Sequence, residues 1–309
     1  MPLAKRIATA LRALVLIVPL CAAPTPAPAE EDFEIGRLNR ETVAAYQRGD
    51  YAAALATARS TLDQATRRLG ERHPDTLTSL GNYAFVLRAL GRAGEAEPLY
   101  KRALDLRTEV LGERHPDTLI SLNNYASALD SLGRAGEAEP LYKRALALRT
   151  EVLGERHPDT LRSLGNYASV LASLGRAGEA EPLYKRALAL RTEVLGERHP
   201  DTLISLNNYA FVLKSLGRAG EAEPLYKRVL ALRTEVLGER HPDTLGSLNN
   251  YASVLESLGR AGEAEPLFKR ALALRTEVLG ERHPDTLISL NNYAFVLRAL
   301  GRAGEAEPL

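Results

Sequence analysis

Serine, histidine and aspartate recur together along this chain, and those are the side chains that nucleophilic hydrolysis uses. His73, Asp75 and Ser79 form one such group, and equivalent groups begin at His115, His157, His199, His241 and His283. A catalytic triad needs one oriented set of partners in one pocket. Even repetition of the same set argues against that chemistry. The histidines also raise a metal site, but each stands in His-Pro-Asp with no second His or Cys at ligand spacing. A turn or cap before a helix suits them better. There is no GxxxxGK phosphate loop and no HExxH. The sequence reads as noncatalytic, without cofactor or metal.

One polar column asks for another explanation. Asn82, Asn124, Asn166, Asn208, Asn250 and Asn292 never change, although asparagine is a poor mid-helix residue. A carboxamide carries both donor and acceptor, so it suits a peptide unit whatever side chains that peptide bears. A hydrogen bond between neighbouring copies accounts for the column equally well. Both readings stay open here.

The elements that hold these residues follow from a period. The text HPDTLxSLxNYAxxLxxLGRAGEAEPLYKRALxLRTEVLGER returns every 42 residues, starting at residues 73, 115, 157, 199, 241 and 283. Fixed-period self-similarity implies stacked supersecondary units and an extended surface. Within the first full copy, Leu77, Leu80, Ala84 and Leu87 fall at helical steps of three and four. Pro74 fits the opening turn and Asp75 complements its positive end. Gly91 stops the helix. A second apolar run holds Ala96, Leu99, Tyr100, Ala103, Leu104, Val110 and Leu111, with Pro98 near its start and Gly112 at its end. The link between the two runs is so short that the helices must form an antiparallel hairpin.

Residues 31–72 keep the same register in decayed form: Gly49 aligns with Gly91 and Leu69-Gly70 with Leu111-Gly112. Polar replacements such as Arg48 and Thr57 fit a capping unit with one face to solvent. Residues 73–309 then hold six repeats, the last cut short inside the opening turn of its second helix.

Small residues at Ala84, Ala96 and Ala103, with Leu80, Tyr83, Leu87 and Tyr100 between them, give an order that resembles the tetratricopeptide repeat. Ala96, Tyr100 and Ala103 match that motif's Ala, aromatic and Ala positions, and Leu80 stands where it usually has Trp. The long period, with LNNYA and EAEPLYKRAL text, resembles kinesin light chain repeats. HEAT and armadillo arrays share the period but not the Ala-aromatic-Ala order. The resemblance implies an all-α fold, a right-handed α-solenoid of antiparallel helix pairs whose first helices line a concave groove. In related groove-binding tetratricopeptide proteins, an Asn at the matching position bonds the backbone of an extended peptide.

The copies differ mainly along one stripe of the first helix. The 78 column reads Thr78, Ile120, Arg162, Ile204, Gly246, Ile288, and the 81 column Gly81, Asn123, Gly165, Asn207, Asn249, Asn291. The 85 column is Phe85, Ser127, Ser169, Phe211, Ser253, Phe295, and the 88 column Arg88, Asp130, Ala172, Lys214, Glu256, Arg298. Offsets of three, seven and ten share one helical face. Exposed second-helix positions such as Lys101 and Glu109 do not drift. The stripe is therefore expected to face a protein or peptide ligand. The Asn column would hold its main chain, shallow pockets at Phe85, Phe211 and Phe295 its apolar side chains, and the 78 and 88 columns would select among partners.

Composition narrows the partners. The formal net charge of +1 over 309 residues argues against nonspecific binding to nucleic acid or anionic membrane. Lys5, Arg6 and Arg12 precede an apolar stretch from Ala13 to Ala23, and Ala27-Pro28-Ala29 gives an A-x-A cleavage site. Residues 1–29 thus read as a signal peptide and the protein as exported, periplasmic or extracellular. Retention of the segment would anchor it to a membrane instead. Cleavage removes the single Cys and the single Met, so export brings no disulfide and stability must come from helix packing. Two further readings stay open. The array is the sensor half of a longer protein with an effector beyond Leu309, for which CHAT-type proteases are the precedent in proteins resembling this one. Or it self-associates through the uncapped last repeat.

Overall fold

A computed structural model describes residues 30–307; the signal-peptide reading falls on residues outside that range. The described residues form 14 helices joined by short turns. They are α1 (Glu30–Gln47), α2 (Tyr51–Leu69), α3 (Pro74–Ala89), α4 (Ala93–Leu111), α5 (Pro116–Ser131), α6 (Ala135–Leu153), α7 (Pro158–Ser173), α8 (Ala177–Leu195), α9 (Pro200–Ser215), α10 (Ala219–Leu237), α11 (Pro242–Ser257), α12 (Ala261–Leu279), α13 (Pro284–Ala299) and the short α14 (Ala303–Ala306). The fold is all-α, built of consecutive helix pairs as in a tetratricopeptide α-solenoid. It divides into two compact units at Val152 and Leu153.

The histidines start the first helices. In α3, α5, α7, α9, α11 and α13 the His is the N-cap, Pro is the first helical residue, and the imidazole Nδ1 accepts the backbone N–H of the Asp two residues on. That contact is 3.2 Å at His73 and Asp75. A neutral imidazole nitrogen replaces the usual Ser or Asp oxygen and satisfies one orphan donor. Gly91 ends the first hairpin helix at φ 79°, a left-handed turn that glycine tolerates.

The second helix of each pair begins earlier than its apolar run suggests. α4 starts at Ala93, so Pro98 lies a turn and a half inside it. Both Pro98 and Gly94, whose carbonyl it leaves without an intrahelical donor, are on the exposed face, where water can serve that carbonyl.

Packing repeats as the sequence does. In the first unit Ala45, Tyr46, Ala54 and Ala58 interlock with Ala84, Phe85, Leu87, Ala96 and Tyr100. In the second unit Ala168, Leu171, Ala180, Tyr184 and Val212 form one cluster, and Ala210, Leu213, Ala222, Tyr226 and Val254 form its successor. Each Val comes from the first helix of the following repeat, so every cluster is closed by its neighbour. Alanines let backbones approach, and burial of each large side chain stabilises by about 1.5–3 kcal/mol.

The charged exterior is ordered too. Arg72 pairs with Glu109 and Arg114 with Glu151 in the first unit; Arg156 pairs with Glu193, Arg198 with Glu235 and Arg240 with Glu277 in the second. These solvated pairs link neighbouring hairpins, each worth roughly 0–1 kcal/mol.

Candidate functional site

The invariant asparagines are part of the stack. Asn82 Nδ2 donates to Asn39 Oδ1 at 3.1 Å, Asn250 to Asn207 at 2.9 Å and Asn292 to Asn249 at 3.0 Å. Asn39 lies in the 81 column of the first repeat, as Asn207 and Asn249 do in theirs. Each bond thus joins the invariant column to the 81 column of the preceding first helix. For Asn82, which is buried, a general peptide-contact role is corrected: its Nδ2 is committed to the scaffold and its Oδ1 is closed off from solvent.

Where the preceding repeat has glycine, the rung is missing. Asn124 would need a partner at Gly81, and Asn208 one at Gly165. Both asparagines are half-buried and neither side chain makes a hydrogen bond among the described residues. A mid-helix glycine costs about 1 kcal/mol relative to alanine. At Gly81 a Cβ would meet nothing within 4 Å, and at Gly165 only the Arg191 guanidinium, at 3.9 Å. Neither glycine is forced by crowding.

The 85 and 88 columns read each other across repeats in the same way. Tyr46, in the 88 column of the first repeat, meets Phe85 edge-on, with ring centroids 4.9 Å apart. Arg88 Nη1 donates to Ser127 Oγ at 3.2 Å, and Lys214 Nζ to Ser253 Oγ at 2.6 Å. The outcome depends on the pair. Phe85 is 5% exposed, whereas Phe211, opposite Ala172, is 49% exposed and Phe295, opposite Glu256, 58%. The expected shallow pocket at Phe85 is therefore corrected: that ring is core. Burial pushes the Tyr46 hydroxyl up to about 12, and it lowers the Lys214 ammonium from its ordinary value, with Glu256 opposing.

The remaining stripe residues are distributed unevenly. Ile120, Ile204 and Ile288 are half-buried, as are Asp130 and Glu256, while Arg298 is exposed. Arg162 is half-buried and paired with Asp159 at 3.0 Å. Burial lowers its guanidinium from the ordinary value, and the two nearby aspartates oppose that shift.

A second internal column went unread in the sequence. Arg107, Arg149, Arg191, Arg233 and Arg275 are buried. Arg107 donates to Ser121 Oγ at 2.8 Å, Arg233 to Ser247 at 2.8 Å and Arg275 to Ser289 at 2.8 Å. Arg233 and Arg275 add the backbone carbonyls of Asp243 and Asp285. A buried cation is tolerated when its donors are satisfied, and here they fasten a second helix to the next repeat's first helix. The signal was an unchanging Arg in every LRTEV segment.

Among the described residues no three His, Cys, Asp or Glu side chains cluster as a metal site would require. No described helix is long and apolar enough to cross a membrane.

Sequence and structure comparisons agree with this architecture. A tetratricopeptide repeat profile matches residues 75–151, 131–191, 159–235, 201–276 and 243–309, and a second one matches residues 42–60. A Podosopora anserina kinesin light chain structure with nearly identical TPR-like repeats is 27% identical with a TM-score of 0.59, covering 66% of this chain and 97% of that one. BtubC (BKLC) from P. vanneervenii is 22% identical with a TM-score of 0.58, covering 91% and 93%. NprR, solved in complex with its cognate peptide NprX, is 15% identical with a TM-score of 0.59, covering 98% and 79%. The last two likenesses are of fold alone. No curated protein matches the sequence.

Proposed function

Since the chain belongs to the tetratricopeptide repeat family, in its kinesin light chain-like form, we propose that it is a noncatalytic scaffold that holds an extended peptide or protein segment along its first helices. Protein–protein interaction is the business of such arrays. The finer reading rests on one observation: copies that agree almost everywhere else differ on a stripe that includes the exposed Phe211, Phe295 and Arg298. A merely tolerant surface would drift on the second helices as well, and those hardly change. That NprR was solved with a peptide bound supports the reading by analogy of fold.

The test replaces rings by the residue other copies already carry. Phe211→Ser with Phe295→Ser should leave the circular dichroism spectrum unchanged. Peptides selected from a displayed random library on the unaltered chain should bind the double variant at least tenfold more weakly. Unaltered affinity would remove the groove role of the stripe. Export through residues 1–29 belongs to the same proposal and rests on the sequence alone; recovery of the chain solely from the cytoplasmic fraction of its host would end it.

A further inference from the structure

A cavity of about 330 Å³ opens in the first unit among α2, α3 and α4, and it shares no residue with the variable stripe. It lies where the fastening of a second helix to the following first helix is incomplete. The buried arginine column begins at Arg107; its counterpart on α2 is Ala65. Thr118, Thr202 and Thr244 donate to the carbonyls of Arg107, Arg191 and Arg233 at 3.2–3.3 Å. Thr76, in the same column, is 3% exposed and lines the cavity, and its hydroxyl has no hydrogen-bond partner among the described residues.

The lining is amphipathic. Leu62, Leu80, Leu99 and Leu106 make its apolar part. Polar groups gather where α2 turns into α3: Arg67 in the last turn of α2, Glu71 in the connection and Thr76 in the first turn of α3. Arg102 on α4 engages Glu71 at 2.6 Å. Arg67 is exposed and has no ion-pair partner among the described residues. Each full copy has glutamate in its place, from Glu109 to Glu277. Asp63, exposed one turn before Arg67, is the carboxylate left on the rim.

We infer that this cavity takes a single-chain amphiphile with a free carboxylate, its alkyl chain among the leucines and its head group between Arg67 and the Thr76 hydroxyl. The volume is that of a small-ligand site, apolar in the main with a few convergent polar groups. A guanidinium receives a carboxylate through two parallel N–H donors, and a buried hydroxyl without a partner gains an acceptor. The polar groups stand at the connection and the leucines along the helices, so the head lies at the turn and the chain runs away from it. A cationic head group would meet the Arg67 charge instead. The site stands apart from the groove reading and does not depend on it.

The test titrates dodecanoate, kept below its micelle threshold, into the full chain by isothermal calorimetry. Saturable binding of one molecule per chain is expected. Arg67→Glu installs the residue of the later copies and should weaken binding at least tenfold. Arg59→Glu makes the same charge change on the exposed face of α2 outside the cavity and should stay within twofold. Thr66→Phe fills the cavity and should abolish binding with the circular dichroism spectrum unchanged. Dodecyltrimethylammonium, with the same chain and the opposite head charge, should bind at least tenfold more weakly than dodecanoate. If Thr66→Phe fails to fold, Arg67→Glu and the two head groups still decide. No saturable uptake of dodecanoate would overturn the inference. So would equal binding by the parent and Arg67→Glu, equal binding of the two head groups, or uptake of several molecules per chain whatever the variant.

Discussion

Residues 82–87 and 208–213 spell the same six letters, NYAFVL, yet the phenylalanine is core in one and half-open in the other. Nothing in either segment accounts for this. The difference lies in the preceding repeat, where Asn39 and Tyr46 face Asn82 and Phe85 but Gly165 and Ala172 face Asn208 and Phe211. In the first place a hydrogen bond between carboxamides and an edge-on aromatic pair lock the helices together. In the second, Gly165 offers Asn208 no carboxamide, and Phe211 is 49% exposed. Identical local sequence is therefore core at one address and half-exposed at another. What a repeat does depends on its neighbour.

The largest expected effect comes from unlocking the closed site. Tyr46→Ala removes a buried ring from the cluster around Phe85 and should cost roughly 3–5 kcal/mol in urea unfolding. A loss below 1 kcal/mol would show that Tyr46 does not lock the site. Alkaline pH probes the same residue more gently. The Tyr46 hydroxyl is held up near 12 in the fold, whereas an unfolded tyrosine ionises near 10. Between those values the native state keeps a proton that the unfolded state has released. Stability should therefore be insensitive to this group below pH 10 and fall by about 1.4 kcal/mol per pH unit above it. Tyr46→Phe should make that fall shallower, and an unchanged slope would contradict the cause assigned here. The smallest effect belongs to Gly81→Asn, which offers Asn124 the rung it lacks. The hydrogen bond and the better helix former should together add roughly 1 kcal/mol to stability. A loss of stability would mean that the ladder geometry does not carry over to that repeat.

Much of the fold was readable because its physics is local. Apolar spacing at Leu77, Leu80, Ala84 and Leu87, proline after each histidine, and glycine at each turn specify paired helices without reference to anything distant. The candidate site was less readable because its states are relational. The Asn column was visible, but whether Asn82 or Asn208 holds a scaffold bond depends on residues 43 positions earlier. Phe85 and Phe211 looked equivalent for the same reason. Arg107 and its counterparts were passed over because a charged residue in a long helix reads as solvated. The serine each of Arg107, Arg233 and Arg275 bonds, and the carbonyl Arg233 and Arg275 add, come from the following repeat, which the helix's own sequence does not show.

The sequence by itself determined the helix pairs, their 42-residue step and the stripe where copies differ, since periodicity and helix caps act within a few residues. Tertiary structure alone decided which stripe residues are spent on holding neighbours and which stay accessible. That decision is made by contacts between side chains about forty residues apart, where one missing side chain on one helix changes the burial and bonding of another.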